Sequence, residues 1–370
     1  MKKIKKILQD SFKFFFYKAF ALFYGNIKGK INSEKDSRIK IETIKKDNNL
    51  KYKIYKIKNG RLYTDRVHDT EIILDNFIIE GPSYQLRANN NARAEENIVF
   101  QKGTAKIKKK LKGTVLSLLT GGAGNENYFH WMYDVLPRFA LCEKTSDLNK
   151  VDFFLLPDTI KKFQQESLDI LNISKEKRIS SKFFRHITCS ELIVTDHPYV
   201  ITNNASYDIQ NIPLWISEWL KEKYISNEIN NKSIFPKKIY IDRTDSSSNT
   251  KALRLIINEN EVKQFLTKNG FENIILGNMH FRDQVKIFNN AEIIVGLHGA
   301  GFANLCFCKQ GTKIIEFRNT TDGKMYENLA ISNSLIYKSI NSAAIKFKVA
   351  QFGHINVSIN SLKEMIEGFN

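Results

Sequence analysis

The 370-residue chain has only four cysteines, Cys142, Cys189, Cys306 and Cys308, scattered without a CxxC pair. This excludes a disulfide-stapled module and a zinc ribbon, and it favours a reducing compartment. Acidic residues are also scarce: 39 Asp and Glu stand against 57 Lys and Arg, for a formal charge of +18. No DxD triplet occurs, so the common acidic clamp for a metal–nucleotide complex is missing. Neither HExxH nor GxSxG is present, which removes the zinc-protease and nucleophile-elbow readings. No apolar run is long enough to cross a bilayer. The nearest, in residues 1–30, is broken by Lys13 and Lys18 and lacks the clean apolar core of a secretory signal.

What is present begins with a core-forming composition, 42 % hydrophobic and 12 % aromatic, in a chain of a length that suits two domains. The positive charge is unevenly spread. Residues 1–58 hold 17 Lys and Arg against 5 Asp and Glu, a net +12. The remainder is only mildly basic, which argues against a nucleic-acid partner. Residues 1–30 mix lysines with phenylalanines and tyrosines. They are expected to form a helix lying on an anionic membrane surface, or else an arm solvated or packed on the body. The Lys, Asn and Ile bias fits AT-rich coding.

Along the chain, 31–112 reads as short strands separated by polar turns, with an exposed loop at "ANNNARAEEN". From 114 onward strands and helices alternate: "GTVLSLLT" strand, "YFHWMYDVLPRFALCEK" helix with Pro137 as kink or boundary, "VDFFLLPD" strand, "DTIKKFQQESLDILN" helix, "ELIVTD" strand, "NIPLWISEWLKEKYI" helix. The polar stretch 226–237 is expected to link two domains. Beyond it "KKIYIDR", "FENIILG", "EIIVGLHG" and "GTKIIEF" read as strands with helices between them, Asn258 capping one helix and Gly270 stopping it. Such alternation predicts an α/β architecture with parallel sheets. The expected division is 1–30, an N-terminal α/β domain at 31–230, a C-terminal Rossmann-like domain at 231–330, and 331–370 packing back on the N-terminal domain.

Three stretches carry chemistry. In 292–307 an apolar strand runs into Gly296, His298, Gly299, Ala300 and Gly301 before a second apolar run with Asn304. A strand that restarts there as a helix aims unpaired N–H groups and the positive helix end at an anion, and the glycines allow close approach or positive φ. The same glycines also suit a tight packed turn. In 127–139, His130 and Asp134 are four apart and share a helical face, where a carboxylate-backed imidazole could take a hydroxyl proton. Asn127, Trp131 and Arg138 beside them are expected sugar or phosphate contacts; the alternative is a capped amphipathic helix. In 239–262, Arg243 ends a strand where its fork could bind phosphate, with Lys251, Arg254 and Glu259 following. Glu316, near the end of the strand that follows the Gly-rich turn and its helix, is the expected ribose holder.

Together these stretches resemble glycosyltransferase family 61. The N-Y-x-H-W-x-x-D-x-L-P-R block is matched by Asn127, Tyr128, His130, Trp131, Asp134, Leu136, Pro137 and Arg138. The strand-ending Arg with R-x-x-x-N-E is matched by Arg243, Arg254, Asn258 and Glu259, and G-x-H-G-A-G-x-x-N by Gly296, His298, Gly299, Ala300, Gly301 and Asn304. The resemblance spans about 114–320 and departs in the middle block, where only Lys251 and Arg254 stand in for a denser arginine cluster. It implies a GT-B-like fold of two Rossmann-type domains facing a central cleft. It further implies a nucleotide-sugar donor, inversion at the anomeric carbon, and no metal or other cofactor. On that reading His130 and Asp134 are catalytic, while Arg243, Lys251, Arg254, Glu259, His298, Gly299, Ala300, Gly301, Asn304 and Glu316 bind donor. The acceptor would be a glycan or lipid-linked glycan of bacterial capsule or lipopolysaccharide, and the enzyme cytoplasmic and peripheral at the inner membrane face. The rival is a non-catalytic glycan- or nucleotide-sugar-binding protein on the same scaffold.

Overall fold

A computed structural model describes the chain except for residues 1, 48–49, 67, 86–93, 120–125, 146–147, 226–234, 246–253, 346–352 and 370. For 2–10, 13 and 84–85 it describes the backbone alone. The chain forms two compact units, one from residues 1–161 and 172–208, the other from 162–171 and 209–370. Sequence alternation located the elements but not this partition. The boundary does not fall in the expected 226–237 linker; the helix Lys162–Ile170 and everything from 209 onward belong to the second unit.

The first unit opens with the helix Lys2–Tyr24. Its sheet contains β1 (Gly29–Ile31), β2 (Ile39–Lys45), β3 (Lys51–Lys58), β4 (Arg61–Thr64), β5 (Asp69–Leu74), β6 (Phe77–Ile79), β7 (Tyr84–Gln85), β8 (Lys109–Ser117), β9 (Phe153–Leu156), β10 (Arg178–Ser180) and β11 (His186–Thr195). The strands after residue 100 run parallel in the order β11-β8-β9-β10. Chain order therefore reverses between β8 and β11. That is a doubly wound topology, and the reversal point is where such sheets bind ligands, beyond the strands' carboxyl ends. The far edge of β11 is extended by antiparallel pairing to β3 and β4, so the sheet is mixed and not a plain Rossmann half. Strand β8 explains its own polarity: it begins with exposed lysines and ends in fully buried Val115 and Leu116, of which Val115 joins Leu155, Ile187 and Leu192 in one core cluster. The described end of the "ANNNARAEEN" loop is not exposed throughout, since Ala94 and Asn97 are buried.

The second unit has five strands, all parallel: β12 (Lys238–Asp242), β13 (Glu272–Ile275), β14 (Ile293–Leu297), β15 (Lys313–Asn319) and β16 (Ile336–Ser342), in the order β13-β12-β14-β15-β16. This is the flavodoxin-like 2-1-3-4-5 order, with its reversal point between β12 and β14. The helices Glu259–Lys268 and Ile359–Glu367 place Val262, Leu266, Leu362 and Ile366 against Tyr240, Val295 and Phe317. The expectation that 331–370 returns to the N-terminal domain is thereby corrected: β16 extends this sheet, and Ile355, Val357 and the last helix fill this unit's core. Asn258 stands at the N-cap as expected, but its side chain does not accept from the helix's first N–H groups. Its side chain pairs instead with the backbone N–H and carbonyl of Val357, at 3.0 and 2.9 Å. Gly270 does end the preceding helix, with φ of 81°. The helix Lys162–Ile170 is tied in by Glu166, whose carboxylate accepts from His280 Nδ1 (2.6 Å) and Phe281 N–H (2.5 Å) at the start of the helix Phe281–Asn290.

Candidate active site

In the first unit the chemistry lies at the β8/β11 reversal point. After β8, Asn127 accepts from the Phe129 N–H (2.9 Å) and starts a helical turn, Tyr128–His130. The next segment, Trp131–Val135, is a π-helix, and Leu136–Cys142 resumes α geometry. Pro137 accounts for the join: it lacks an N–H and its ring would clash with the carbonyl four residues back, so the wider π turn relieves both. Within this stretch His130 Nδ1 lies 2.9 Å from Asp134 Oδ2. A carboxylate can only accept, so Nδ1 carries the proton and Nε2 is left as the basic nitrogen.

Asp134 is buried, and His197 from the loop after β11 approaches the same oxygen, with Nε2 at 3.9 Å. His197 Nδ1 accepts from the N–H groups of Tyr199 (3.3 Å) and Val200 (3.1 Å), which puts its own proton on Nε2, facing Asp134. Burial, then the charge of Arg138 and the nearness of His130, hold His197 well below the ordinary imidazole range. Sequence reasoning missed His197, because it follows a different strand and no spacing ties it to the His130 block. Of the expected contacts nearby, Trp131 is fully buried and offers no face for a sugar to stack on. Arg138 is buried too, donating to the carbonyl and hydroxyl of Thr195 at the end of β11 (3.2 and 3.3 Å). Asn127 is occupied in capping.

In the second unit Arg243 follows β12 and the His298–Gly301 turn follows β14, on either side of the reversal point. Arg243 Nη1 and Arg254 Nη1 both donate to the carbonyl oxygen of His298, at 3.0 and 3.1 Å. Arg254 also pairs with Asp322 at 2.5 Å. Burial, and after it the charge of Arg254, push the Arg243 guanidinium below the usual arginine range. A neighbouring anion would favour the charged guanidinium and offset the repulsion from Arg254.

Of the reasons expected for the glycines, positive φ does not apply and the tightly packed turn does. Gly296, Gly299 and Gly301 are absent from the positive-φ glycines, and Gly299 is extended at φ 161°. What they provide is room: a Cβ on Gly299 would stand 3.1 Å from Arg243 Nη1, and one on Gly301 3.1 Å from Ile241 and Leu276. The run Ala300–Phe307 is a 3₁₀ helix. Inside it Asn304 is fully buried and donates to the Gly301 carbonyl (3.2 Å), shaping the turn from within.

Glu316 is likewise corrected. Its two oxygens accept from His298 Nδ1 and Tyr337 Oη, each at 2.5 Å, and the residue is fully buried, which puts it out of reach of a ribose. Its effect is to fix the His298 ring, with Nε2 directed away. Glu259 is engaged by Tyr240 Oη (3.1 Å) and Lys263 (3.3 Å). Lys251 lies outside the described residues. Among the described residues no three of His, Cys, Asp and Glu converge as a metal-ligand group.

Residues 128–315, just over half of the chain, match the family model for Glycosyltransferase 61. The chain belongs to the glycosyltransferase 61 family. Similar curated proteins include the EGF domain-specific O-linked N-acetylglucosamine transferases of Rattus norvegicus (33 % identical over 89 residues, 23 % of this chain and 17 % of that protein) and Drosophila melanogaster (30 % over 89 residues, 23 % and 17 %). That of Pan troglodytes is 35 % identical over 82 residues, 21 % of this chain and 16 % of that protein. The chain thus matches about a sixth of the length of these relatives. In this glycosyltransferase 61 chain the family match runs from Tyr128, two residues before His130, to Ile315, one residue before Glu316; it includes β12 and β14 on both sides of the second reversal point and, of the first, β11 but not β8.

Proposed function

We propose that the chain transfers a sugar from a nucleotide-sugar donor to a glycan hydroxyl, in one displacement that inverts the anomeric carbon. The observation that carries this reading is the convergence of Arg243 and Arg254 on the His298 carbonyl at a sheet reversal point. Two cations held by one backbone oxygen form a preorganised receptor for a diphosphate leaving group. His298, its ring fixed by Glu316, donates to a phosphate oxygen from Nε2 only when that nitrogen too carries a proton, and the 299–301 turn lets the phosphates approach the backbone.

On the acceptor side His130 Nε2 takes the hydroxyl proton while that oxygen attacks the anomeric carbon. The bond from that carbon to the phosphate oxygen breaks, and its electron pair leaves with the nucleoside diphosphate. Asp134 holds the imidazole in the required tautomer and stabilises the imidazolium that forms. In this scheme the arginines and the turn neutralise the leaving group, without a metal ion or other cofactor.

The relatives' name makes an N-acetylglucosamine nucleotide the first donor to assay. For the acceptor we propose a glycan or lipid-linked glycan of bacterial surface polysaccharide, assembled at the inner face of the plasma membrane, consistent with the AT-rich coding bias. The relatives' name also calls for an EGF-domain acceptor in the same assay. The test measures nucleotide release and product anomeric configuration with a panel of nucleotide sugars, with and without chelator. Release that survives chelation and gives an inverted product is expected. Absence of release from every donor overturns the activity, and release abolished by chelator overturns the metal-free scheme.

A further inference from the structure

The helix Lys2–Tyr24 presents a face for which the first unit provides no cover. Phe12, Phe14, Phe15, Phe16, Leu22 and Phe23 are exposed, Leu22 by 88 % and Phe23 by 81 %. At 100° per residue all but Phe14 fall within about a third of the helix circumference, a continuous apolar stripe. Rings along it touch one another, Phe12 and Phe16 with centroids 4.7 Å apart and Phe15 and Phe16 6.2 Å apart.

The opposite side is fixed to the body. Tyr17, Phe20 and Tyr24 are half-buried. The Tyr24 ring meets His186 edge-on at 5.0 Å and lies under Lys108 Nζ at 5.0 Å, and its hydroxyl accepts from the Lys108 N–H at 3.1 Å. The Tyr24 carbonyl accepts from Arg61 Nη1 at 3.3 Å. The stripe is therefore held outward at a set orientation, whereas scattered single exposed apolar residues would call for no explanation.

Charge selects the occupant. The helix sequence contributes Lys2, Lys3, Lys5, Lys6, Lys13 and Lys18 against Asp10 alone, six cations to one anion. No helix among the described residues is long and apolar enough to cross a membrane. We infer that this helix docks the enzyme on an anionic lipid surface. Its exposed Phe and Leu side chains enter the headgroup–acyl boundary, and its net positive charge is drawn to the anionic headgroups. This inference is independent of the catalytic assignment.

The experiment uses the full chain with vesicles of phosphatidylcholine alone or mixed with phosphatidylglycerol, read by co-sedimentation at low and high salt. Binding to the anionic vesicles at least about tenfold tighter than to the neutral ones, and weakened by salt, is expected. Phe15→Ser with Phe16→Ser should weaken it by a further factor of about ten, with the thermal midpoint unchanged. A Phe23→Trp variant should show a blue-shifted indole emission on the same vesicles. Equal binding to both vesicle types, an unshifted Phe23→Trp spectrum, or a Ser pair that binds like wild type overturns the inference. So does a concentration-dependent dimer that the Ser pair abolishes, since the stripe would then be a contact between copies.

Discussion

His130 and Asp134 were legible in the sequence because four-residue spacing places two side chains on one face, and 2.9 Å is what the structure gives them. His130→Ala should lower kcat by about 10²–10⁴-fold with the unfolding midpoint unchanged, and Asp134→Asn should do the same without adding to it, measured as nucleotide release. Trp131 sits in the same block and behaves differently. Its identity suggested a stacking platform, but the π turn carries it inward to full burial. Trp131→Ala should therefore cost about 3–5 kcal/mol of stability by chemical denaturation and leave donor KM nearly unchanged in whatever fraction stays folded. In the donor half, Arg243→Ala removes a charged donor and should weaken nucleoside diphosphate binding by about 10–100-fold in calorimetry. Glu316 misled sequence reasoning for a plain reason. A carboxylate at a strand end reads as a ligand holder, and nothing in the order of residues shows that Tyr337, one strand over, already occupies it.

At the level of elements, strand and helix positions were readable wherever apolar periodicity was strong, as in β9, β12, β14 and the helix Phe281–Asn290. The π segment was not, because a wider turn alters no residue type. Pro137 marked only that something must give. Pro137→Ala would permit ordinary α geometry through 131–137, and we expect lower kcat with equal or higher thermal stability, separating geometry from folding. The element that packs the N-terminal helix onto the sheet gives a pH prediction. His186 is buried, donates to the Lys106 carbonyl at 2.7 Å and accepts from Arg61 at 2.7 Å, so it must stay neutral. Burial foremost pushes it down from 6.5 to about 3. A depressed folded value means that its contribution is complete above about pH 6.5 and drains away as pH falls towards 3. Denaturation midpoints taken across that interval should drop for wild type and drop less for His186→Phe, if that variant folds.

For the whole molecule, composition and alternation indicated two α/β bodies, and that much the structure contains. The partition was hidden because contiguity is the natural assumption, whereas Lys162–Ile170 leaves its neighbours in sequence to join the second unit. Its Glu166 carboxylate accepts from the first N–H of the helix Phe281–Asn290, and the Ser167 carbonyl accepts from Tyr224 Oη at 3.3 Å. A fragment beginning at Ile209 should accordingly melt lower than one in which 162–171 is fused ahead of it, as calorimetry or circular dichroism would record. The same detour has a consequence for synthesis. Residues 162–171 leave the ribosome before the 37 residues of 172–208, which belong to the other unit. At about 5–20 residues per second this isolated helix waits roughly 2–7 s before its own partners even begin to emerge. During that interval the face that it buries in the folded second unit has no partner from that unit to cover it.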